Sequence, residues 1–513
     1  MRYGFAIDQR TCIGCHACTV ACKTEHDIPV GQFRTWVKYV EKGEFPSTTR
    51  DMAVLRCNHC TDAPCVKGCP TEALFIRPDG IVDFDNELCI GCKMCMQACP
   101  YDAIYIDENT HTAAKCNFCA HRIDQGLEPA CVQVCPTESI WMGDIDDPTS
   151  GISKFLSIEP VNVRTPEQGT RPNVYYVGAD QATLDPLAAP VDDTYIWAQP
   201  DPLRLKTAAE LPGDPMSMAR TTLNTAHPHP WGWKVWTYLW TKSISAGALA
   251  LGALLVLFTA DRSSLVTIAA PAISAAFLVI TAVLLIWDLK QPKRFLFLLD
   301  PRKFQRRSWL AIGGIFLGLG AGVAGLWLLA GVIDAFGWGD WSSAITVLAW
   351  PAVPAAVMVA GYTAFLFGQA EGRDLWQSPV LFWHLQAQAV MVGGGVMLIA
   401  SLLLTDSEQT QRWLAWAVAI GVVAHLLITA VEFGGKHSTR NAQVAAHAIT
   451  HGRYRTQFWW GSIALAFVGG AVALAVALGA PVVLGIIAGL LVQPALLAHE
   501  RVFVMAGQDP PLS

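Results

Sequence analysis

All sixteen cysteines of this chain fall within its first 135 residues, in four groups of four. The groups are Cys12, Cys15, Cys18 and Cys22; Cys57, Cys60, Cys65 and Cys69; Cys89, Cys92, Cys95 and Cys99; and Cys116, Cys119, Cys131 and Cys135. The first and third follow C-x2-C-x2-C-x3-C, and three groups end in Cys-Pro, at Cys69-Pro70, Cys99-Pro100 and Cys135-Pro136. That spacing holds cubane iron–sulfur clusters: three near cysteines wrap one cluster and the fourth reaches the other of a pair. Disulfides are a poor account, since the remaining 378 residues hold no cysteine. Zinc ribbons use two CxxC pairs rather than four tetrads with a trailing x3-C. The groups therefore predict four [4Fe-4S] clusters, a wire for single electrons. No group lacks a cysteine, so none reads as catalytic, and one end of the wire must be sought in a partner.

Composition divides the chain in two. It is 52 % hydrophobic and 15 % charged over 513 residues, with a mean hydropathy of +0.34, too apolar for a soluble protein. Residues 1–230 hold 19 Lys and Arg against 30 Asp and Glu; residues 231–513 hold 17 against 12. An acidic half joined to a basic, apolar half argues for two domains and against nucleic acid as a partner. The expected boundaries are a cluster domain over 1–180, an extended linker over 181–230 and a membrane domain over 231–513.

In the first half, Tyr3 to Asp8, residues 32–44 and Asp102 to Asp107 read as strands. Residues 72–84 read as a hairpin turning at Pro78-Asp79-Gly80. The unit of cysteine loop, short helix, Cys-Pro and strand recurs, an internal duplication. Asn173 to Gly178 reads as a last strand. Lys23, Lys67, Lys93 and Lys115 stand beside the cysteines, where positive charge would raise a cluster potential; ordinary solvated lysines are the plainer alternative.

From Trp231 the chain predicts eight apolar spans, near 238–260, 265–287, 309–334, 344–367, 380–404, 413–431, 458–478 and 481–499. With a cytoplasmic N-terminus, fifteen Lys and Arg fall on inner segments and two, Arg262 and Arg412, on outer ones. This positive-inside bias and the lack of an export signal near Met1 place the cysteine domain and both termini in the cytoplasm, on a multi-pass protein of the cytoplasmic membrane.

Residues 1–180 resemble the four-cluster electron-transfer subunits of molybdopterin oxidoreductases, of the DMSO reductase, polysulfide reductase and sulfite dehydrogenase type. The carriers are Cys12-Ile13-Gly14-Cys15-His16-Ala17-Cys18, Arg56-Cys57-Asn58-His59-Cys60 with Pro64-Cys65, Cys89-Ile90-Gly91-Cys92, Lys115-Cys116-Asn117-Phe118-Cys119 and Arg171-Pro172-Asn173-Val174. Residues 231–500 are similar to the eight-helix quinone-binding anchor of the polysulfide reductase (NrfD) family, through Trp231-Gly232-Trp233, Asp288-Leu289, Pro292, Arg294-Phe295, Ser308-Trp309, Tyr362-Thr363, Leu375-Trp376 and Ser378-Pro379. The resemblance implies an α+β ferredoxin-like duplicated [4Fe-4S] domain fused to an all-α eight-helix transmembrane domain. It also implies the cluster ligands: Cys12, Cys15, Cys18 and Cys135; Cys22, Cys116, Cys119 and Cys131; Cys57, Cys60, Cys65 and Cys99; and Cys69, Cys89, Cys92 and Cys95, the last set nearest the membrane.

The function implied is electron transfer between a separate molybdopterin catalytic subunit and membrane menaquinone or ubiquinone, in contact with lipid. The alternative is a module of an alternative complex III-like or haem-bearing ion-translocating complex, with His384 and His425 facing each other across a haem. Polar groups inside spans are costly and mark functional candidates. Tyr362 and His384 lie at matching depth near the inner face and are expected to contact the quinone headgroup, with Asp288 and Arg294 nearby.

Overall fold

The computed structural model describes residues 1–44, 46–189, 219–259, 261–300, 302–405 and 407–513. Eleven described strands occur, all before the membrane domain: β1 (Tyr3–Asp8), β2 (Thr35–Glu44), β3 (Ser47–Arg56), β4 (Leu74–Ile76), β5 (Val82–Phe84), β6 (Ile104–Ile106), β7 (Ala113–Lys115), β8 (Ile140–Asp144), β9 (Val161–Asn162), β10 (Val174–Val177) and β11 (Arg220–Leu223). Phe5, Ala6 and Ile7 are fully buried, which suits β1 to the middle of a sheet ordered β8-β1-β10-β9. It runs parallel to β10, Phe5 opposite Val174, and antiparallel to β8. Two small hairpins, β4-β5 and β6-β7, follow the second and third cysteine groups and give the duplication its structural form. The first of them turns through Gly80, at φ +81°.

Two elements depart from the sequence reading. β3 pairs with β2 over ten residues, where only the first strand is expected; its outer half is exposed and polar (Ser47 to Arg50), so composition hides it. The stretch expected as a linker carries a short helix, Gln181–Leu184, and β11, which adds to the free edge of β2. Residues 190–218 of that stretch lie outside the described residues. Beyond β11 the chain is strapped down: the Trp36 indole donates to Asn224 Oδ1 at 2.9 Å.

The rest is all-α. Among the described residues, eight helices are long and apolar enough to cross a membrane: Trp233–Phe258, Leu265–Asp288, Trp309–Ala335, Ser342–Gly368, Leu381–Leu404, Glu408–Gly434, Gln457–Ala477 and Val482–Gly507. Leu326, Val347 and Phe467 are more than half exposed, as lipid-facing side chains are. An amphipathic helix, Arg440–Thr450, joins the sixth and seventh spans. The first and fifth spans cross at Gly247, where a Cβ would lie 1.9 Å from the Ala389 carbonyl oxygen; small residues let backbones approach this closely.

The cysteine domain sits on one end of this bundle. Arg294 donates to the carbonyls of Asn86 (2.6 Å) and Cys89 (2.8 Å), Ser308 donates to the Gly68 carbonyl at 3.0 Å, and Arg373 donates to Gln97 Oε1 at 2.7 Å. The last residues of the chain also enter this joint: Arg164 donates to the Leu512 carbonyl at 2.6 Å.

Candidate functional site

The cysteine loops fold alike. In the first, Gly14 and His16 are left-handed (φ +66° and +61°); in the third, Gly91 and Lys93 are (φ +69° and +64°). The alternation curls each loop around a small volume. Gly14 and Gly91 also have no room for a side chain: a Cβ would stand 2.3 Å from Met52 Sδ and 2.6 Å from Lys290 Cβ.

The sixteen thiols gather in four sets drawn from different groups. Cys12, Cys15, Cys18 and Cys135 line one cavity. Cys69, Cys89, Cys92 and Cys95 line another. Cys22 lies in the field of Cys116, Cys119 and Cys131, and Cys65 in that of Cys57, Cys60 and Cys99. These are the sets that the resemblance pairs. They adjoin in sequence along the domain: Cys18 faces Cys131, Cys116 faces Cys57, and Cys95 faces Cys65.

The donor chemistry fits iron–sulfur clusters. Burial pushes the Cys18 thiol up to about 11 and those of Cys99 and Cys116 up to about 12, so thiolates there need a cationic partner. Among the described residues no three Cys, His, Asp or Glu side chains converge on a single-ion site; the thiols surround cavities instead. Polar hydrogens meet the sulfurs. Arg56, fully buried, donates to Cys131 Sγ at 3.3 Å, the Ser139 N–H to Cys135 Sγ at 3.3 Å, and His26 Nε2 lies 3.2 Å from Cys119 Sγ. Such bonds tune a cluster. Sequence spacing did not single out His26, which is remote from Cys119 along the chain. Of the four flanking lysines, Lys67 pairs with Asp62 at 2.6 Å, and Lys23 caps the Pro29 and Gln32 carbonyls. Lys115 donates to the Cys116 carbonyl at 2.9 Å. Lys93 reaches the membrane domain, where it meets Asp288 at 2.6 Å.

Directly beneath the fourth set, a cavity of about 490 Å³ opens among the first four spans and the turn Pro292–Leu299. Its walls are apolar, including Leu278, Phe295, Gly314 and Leu366; its polar groups are Tyr238, Asp288, Tyr362 and the Trp231 indole; and Cys92 stands in its roof. The Trp231 indole donates to the Cys92 carbonyl at 3.4 Å.

The structure brings Tyr362 and Asp288 to this cavity and takes His384 and Arg294 elsewhere. Arg294 docks the cysteine domain, as above. His384 faces the sixth and eighth spans, with Nδ1 2.9 Å from Glu432 Oε2 and Nε2 2.8 Å from His425 Nδ1. Two imidazoles in direct hydrogen bond leave no space for a porphyrin between them, so this pair offers no haem site.

Residues 221–508 match the family model for polysulphide reductase, NrfD, and residues 49–145 that for a 4Fe-4S dicluster domain. This protein belongs to the NrfD family. Its NrfD membrane domain is fused to an iron–sulfur electron-transfer domain. The latter is similar to a tetrathionate reductase subunit of Salmonella typhimurium, 47 % identical over 190 residues, which cover 36 % of this chain and 76 % of that protein. It is also similar to a polysulfide reductase polypeptide of Wolinella succinogenes, 42 % identical over 181 residues, 34 % of this chain and 94 % of that one. A third relative is the putative dimethyl sulfoxide reductase iron-sulfur subunit of Halobacterium salinarum, 37 % identical over 210 residues, 35 % of this chain and 80 % of that one.

Proposed function

We propose that this chain carries electrons between a separate molybdopterin catalytic subunit and the membrane quinone pool, through four [4Fe-4S] clusters on the four cysteine sets. The relatives are named as components of tetrathionate and polysulfide reductases, and a fused anchor supplies the membrane end of such a complex. In this reading residues 1–180 form the cluster domain, residues 231–513 the quinone-reacting domain, and the intervening stretch their connection. The basic asymmetry of the loops supports a cytoplasmic iron–sulfur domain with both termini on that side.

The observation that carries the reading is the position of Cys92, which belongs to the last cysteine set and also lines the membrane cavity. A quinone needs an apolar slot for its ring and tail and a few polar groups for its two oxygens. The cavity supplies the slot, and Tyr238, Tyr362 and Asp288 the polar groups. Val279 and Ile315 of its wall are at least half exposed on the bundle surface, which gives a lipid-dissolved molecule an entry. Clusters, when bound, supply one-electron carriers. The protein positions them and keeps the last one against the cavity.

The test uses the full chain purified anaerobically and reduced with dithionite. A naphthoquinone analogue is expected to reoxidise the clusters rapidly in the wild type and slowly in Gly314→Trp, which fills the cavity. Equal rates in the two proteins reject this cavity as the quinone site.

A further inference from the structure

One cluster of titratable groups in the bundle belongs neither to the cysteine sets nor to the cavity. It combines His384 of the fifth span, His425 and Glu432 of the sixth, and His499 and Glu500 of the eighth. All three imidazoles and Glu500 are at least 97 % buried, and none of the five lines the cavity. His384 bridges Glu432 and His425 through its two ring nitrogens, at 2.9 and 2.8 Å. The His499 ring lies 5.0 Å from that of His384 and 4.8 Å from that of His425, with Nδ1 3.4 Å from Ser462 Oγ.

A structural polar network in a membrane bundle should satisfy its members, since an orphaned polar atom there is costly. This one does not. His425 Nε2, Glu432 Oε1, Glu500 Oε1 and the Gln388 amide oxygen are buried without a hydrogen-bond partner. Buried imidazoles and carboxyls whose lone pairs or protons lack a hydrogen-bond partner are suited to take up or release a proton. His384 is built to pass one. With Nδ1 donating to Glu432, Nε2 accepts from His425; the other tautomer runs the bond in reverse.

The cluster connects at both ends. Towards the cavity, Glu500 accepts from Gln388 and lies in the field of Lys242. The Lys242 ammonium, fully buried, donates to the Ala360 carbonyl (2.8 Å) and Thr363 Oγ1 (2.6 Å). It also stands 5.2 Å from the centroid of the Tyr362 ring, which forms the cavity wall. Towards the surface, Glu432 lies two residues from the end of the sixth span at Gly434. His425 and His499 lie nine and eight residues from their span ends at Gly434 and Gly507, about 12–14 Å deep at the helical rise. Tyr238 of the first span also faces Glu500, as well as Tyr362 and Asp288 of the cavity wall.

We propose that the His384–His425–His499 cluster, with Glu432 and Glu500, is a proton-binding site that relays protons between the cavity and the membrane face beneath the iron–sulfur domain. The proposal rests on the quinone reading of the cavity. Reducing a quinone to a quinol takes two electrons, which arrive singly through the iron–sulfur domain, and two protons. The relay carries those protons inward by way of Glu432, the imidazoles, Glu500 and Lys242 to Tyr362; quinol oxidation sends them outward.

Two measurements on the full chain in detergent test it. In pH-difference infrared spectra, the wild type is expected to show a titrating carboxylic C=O band that Glu500→Gln removes and a titrating imidazole band that His425→Leu removes. In stopped flow, Glu500→Gln and Glu432→Gln should keep their cluster EPR signals and their affinity for the naphthoquinone analogue. Their cluster reoxidation should slow at least about tenfold and lose its pH dependence. Difference spectra unchanged in the variants, or wild-type rates and pH profiles, overturn the relay. Should Glu500→Gln fail to assemble, Glu432→Gln at the rim decides by the same readouts. Failure of the analogue to bind the wild type overturns the quinone reading instead and leaves the infrared test of the cluster standing.

Discussion

Lys93 and Asp288 meet at 2.6 Å, and through them the loop that carries Cys92 is tied to the end of the second span. Lys93 is the left-handed residue that follows Cys92, and Asp288 is a wall of the membrane cavity. The pair therefore fixes the last cysteine set against the cavity while placing a cation between them. Burial pulls the Lys93 ammonium below its ordinary value, and the Asp288 carboxylate opposes that shift. Neighbouring contacts act in the same place: the Lys290 and Gln291 N–H groups donate to the Gly91 and Ile90 carbonyls at 3.2 and 3.1 Å.

Breaking this pair leaves an uncompensated charge in a buried joint. Lys93→Ala is expected to cost about 3 kcal/mol of interdomain stability. It should lower the temperature at which the clusters are lost, followed by their visible absorption, and slow electron delivery to the quinone analogue. Unchanged thermal loss of the clusters would show that the backbone contacts alone hold the joint.

Sixteen cysteines in four sets lead to an expected content of about sixteen irons per chain after anaerobic purification. A value near half of that would mean two sets are empty. The thiols of Cys57, Cys60, Cys65, Cys69, Cys95 and Cys99 form much of the inner core of the domain. Oxidative loss of the clusters should therefore abolish the near-ultraviolet dichroism of the domain and leave the helical far-ultraviolet signal of the bundle.

Cys92→Ser should remove the cluster against the cavity and stop quinone-linked turnover in the complex, while soluble dyes still react through the remaining sets. Quinone-linked turnover that survives loss of that cluster's EPR signal would place the last cluster elsewhere.

Much of this was legible in the chain, and the limits have a physical origin. Cysteine spacing marks loops that must curl around a cluster, and long apolar runs mark spans, because each constraint acts on neighbouring residues. Position along a span can be counted from the sequence at about 1.5 Å per residue, and that count led to the expectation that Tyr362 and His384 share a site. What the count leaves open is the direction around the helix axis. Tyr362 points to the cavity among the first four spans, and His384 to the sixth and eighth, so two residues near the same ends of neighbouring spans serve different sites. Arg294 follows the same pattern: it lies in the turn that borders the cavity, yet its guanidinium is spent on the carbonyls of Asn86 and Cys89. The cluster of His384, His425 and His499 was half visible, as two facing histidines; His499 belongs to a distant span, and no local signal joins it to them.

Helix crossings in the bundle give the last prediction. Gly247 and Gly393 bring the first and fifth spans into backbone contact, and a Cβ on Gly247 would stand 1.9 Å from the Ala389 carbonyl oxygen and 2.9 Å from the Gly393 Cα. Backbone on both sides cannot rotate away as a flexible side chain would, so the spans must part. The fifth span carries His384 on one side and packs against the first, which carries Lys242, so their separation would pull the proton cluster from Lys242. Gly247→Ala is expected to destabilise the bundle by about 3 kcal/mol, seen as a lower unfolding midpoint in detergent. Gly322, a helical glycine of the third span with nothing within 4 Å of a built Cβ, is the control. Gly322→Ala should leave the midpoint unchanged or raise it slightly, since alanine costs a helix about 1 kcal/mol less than glycine. Equal effects of the two substitutions would refute the close crossing.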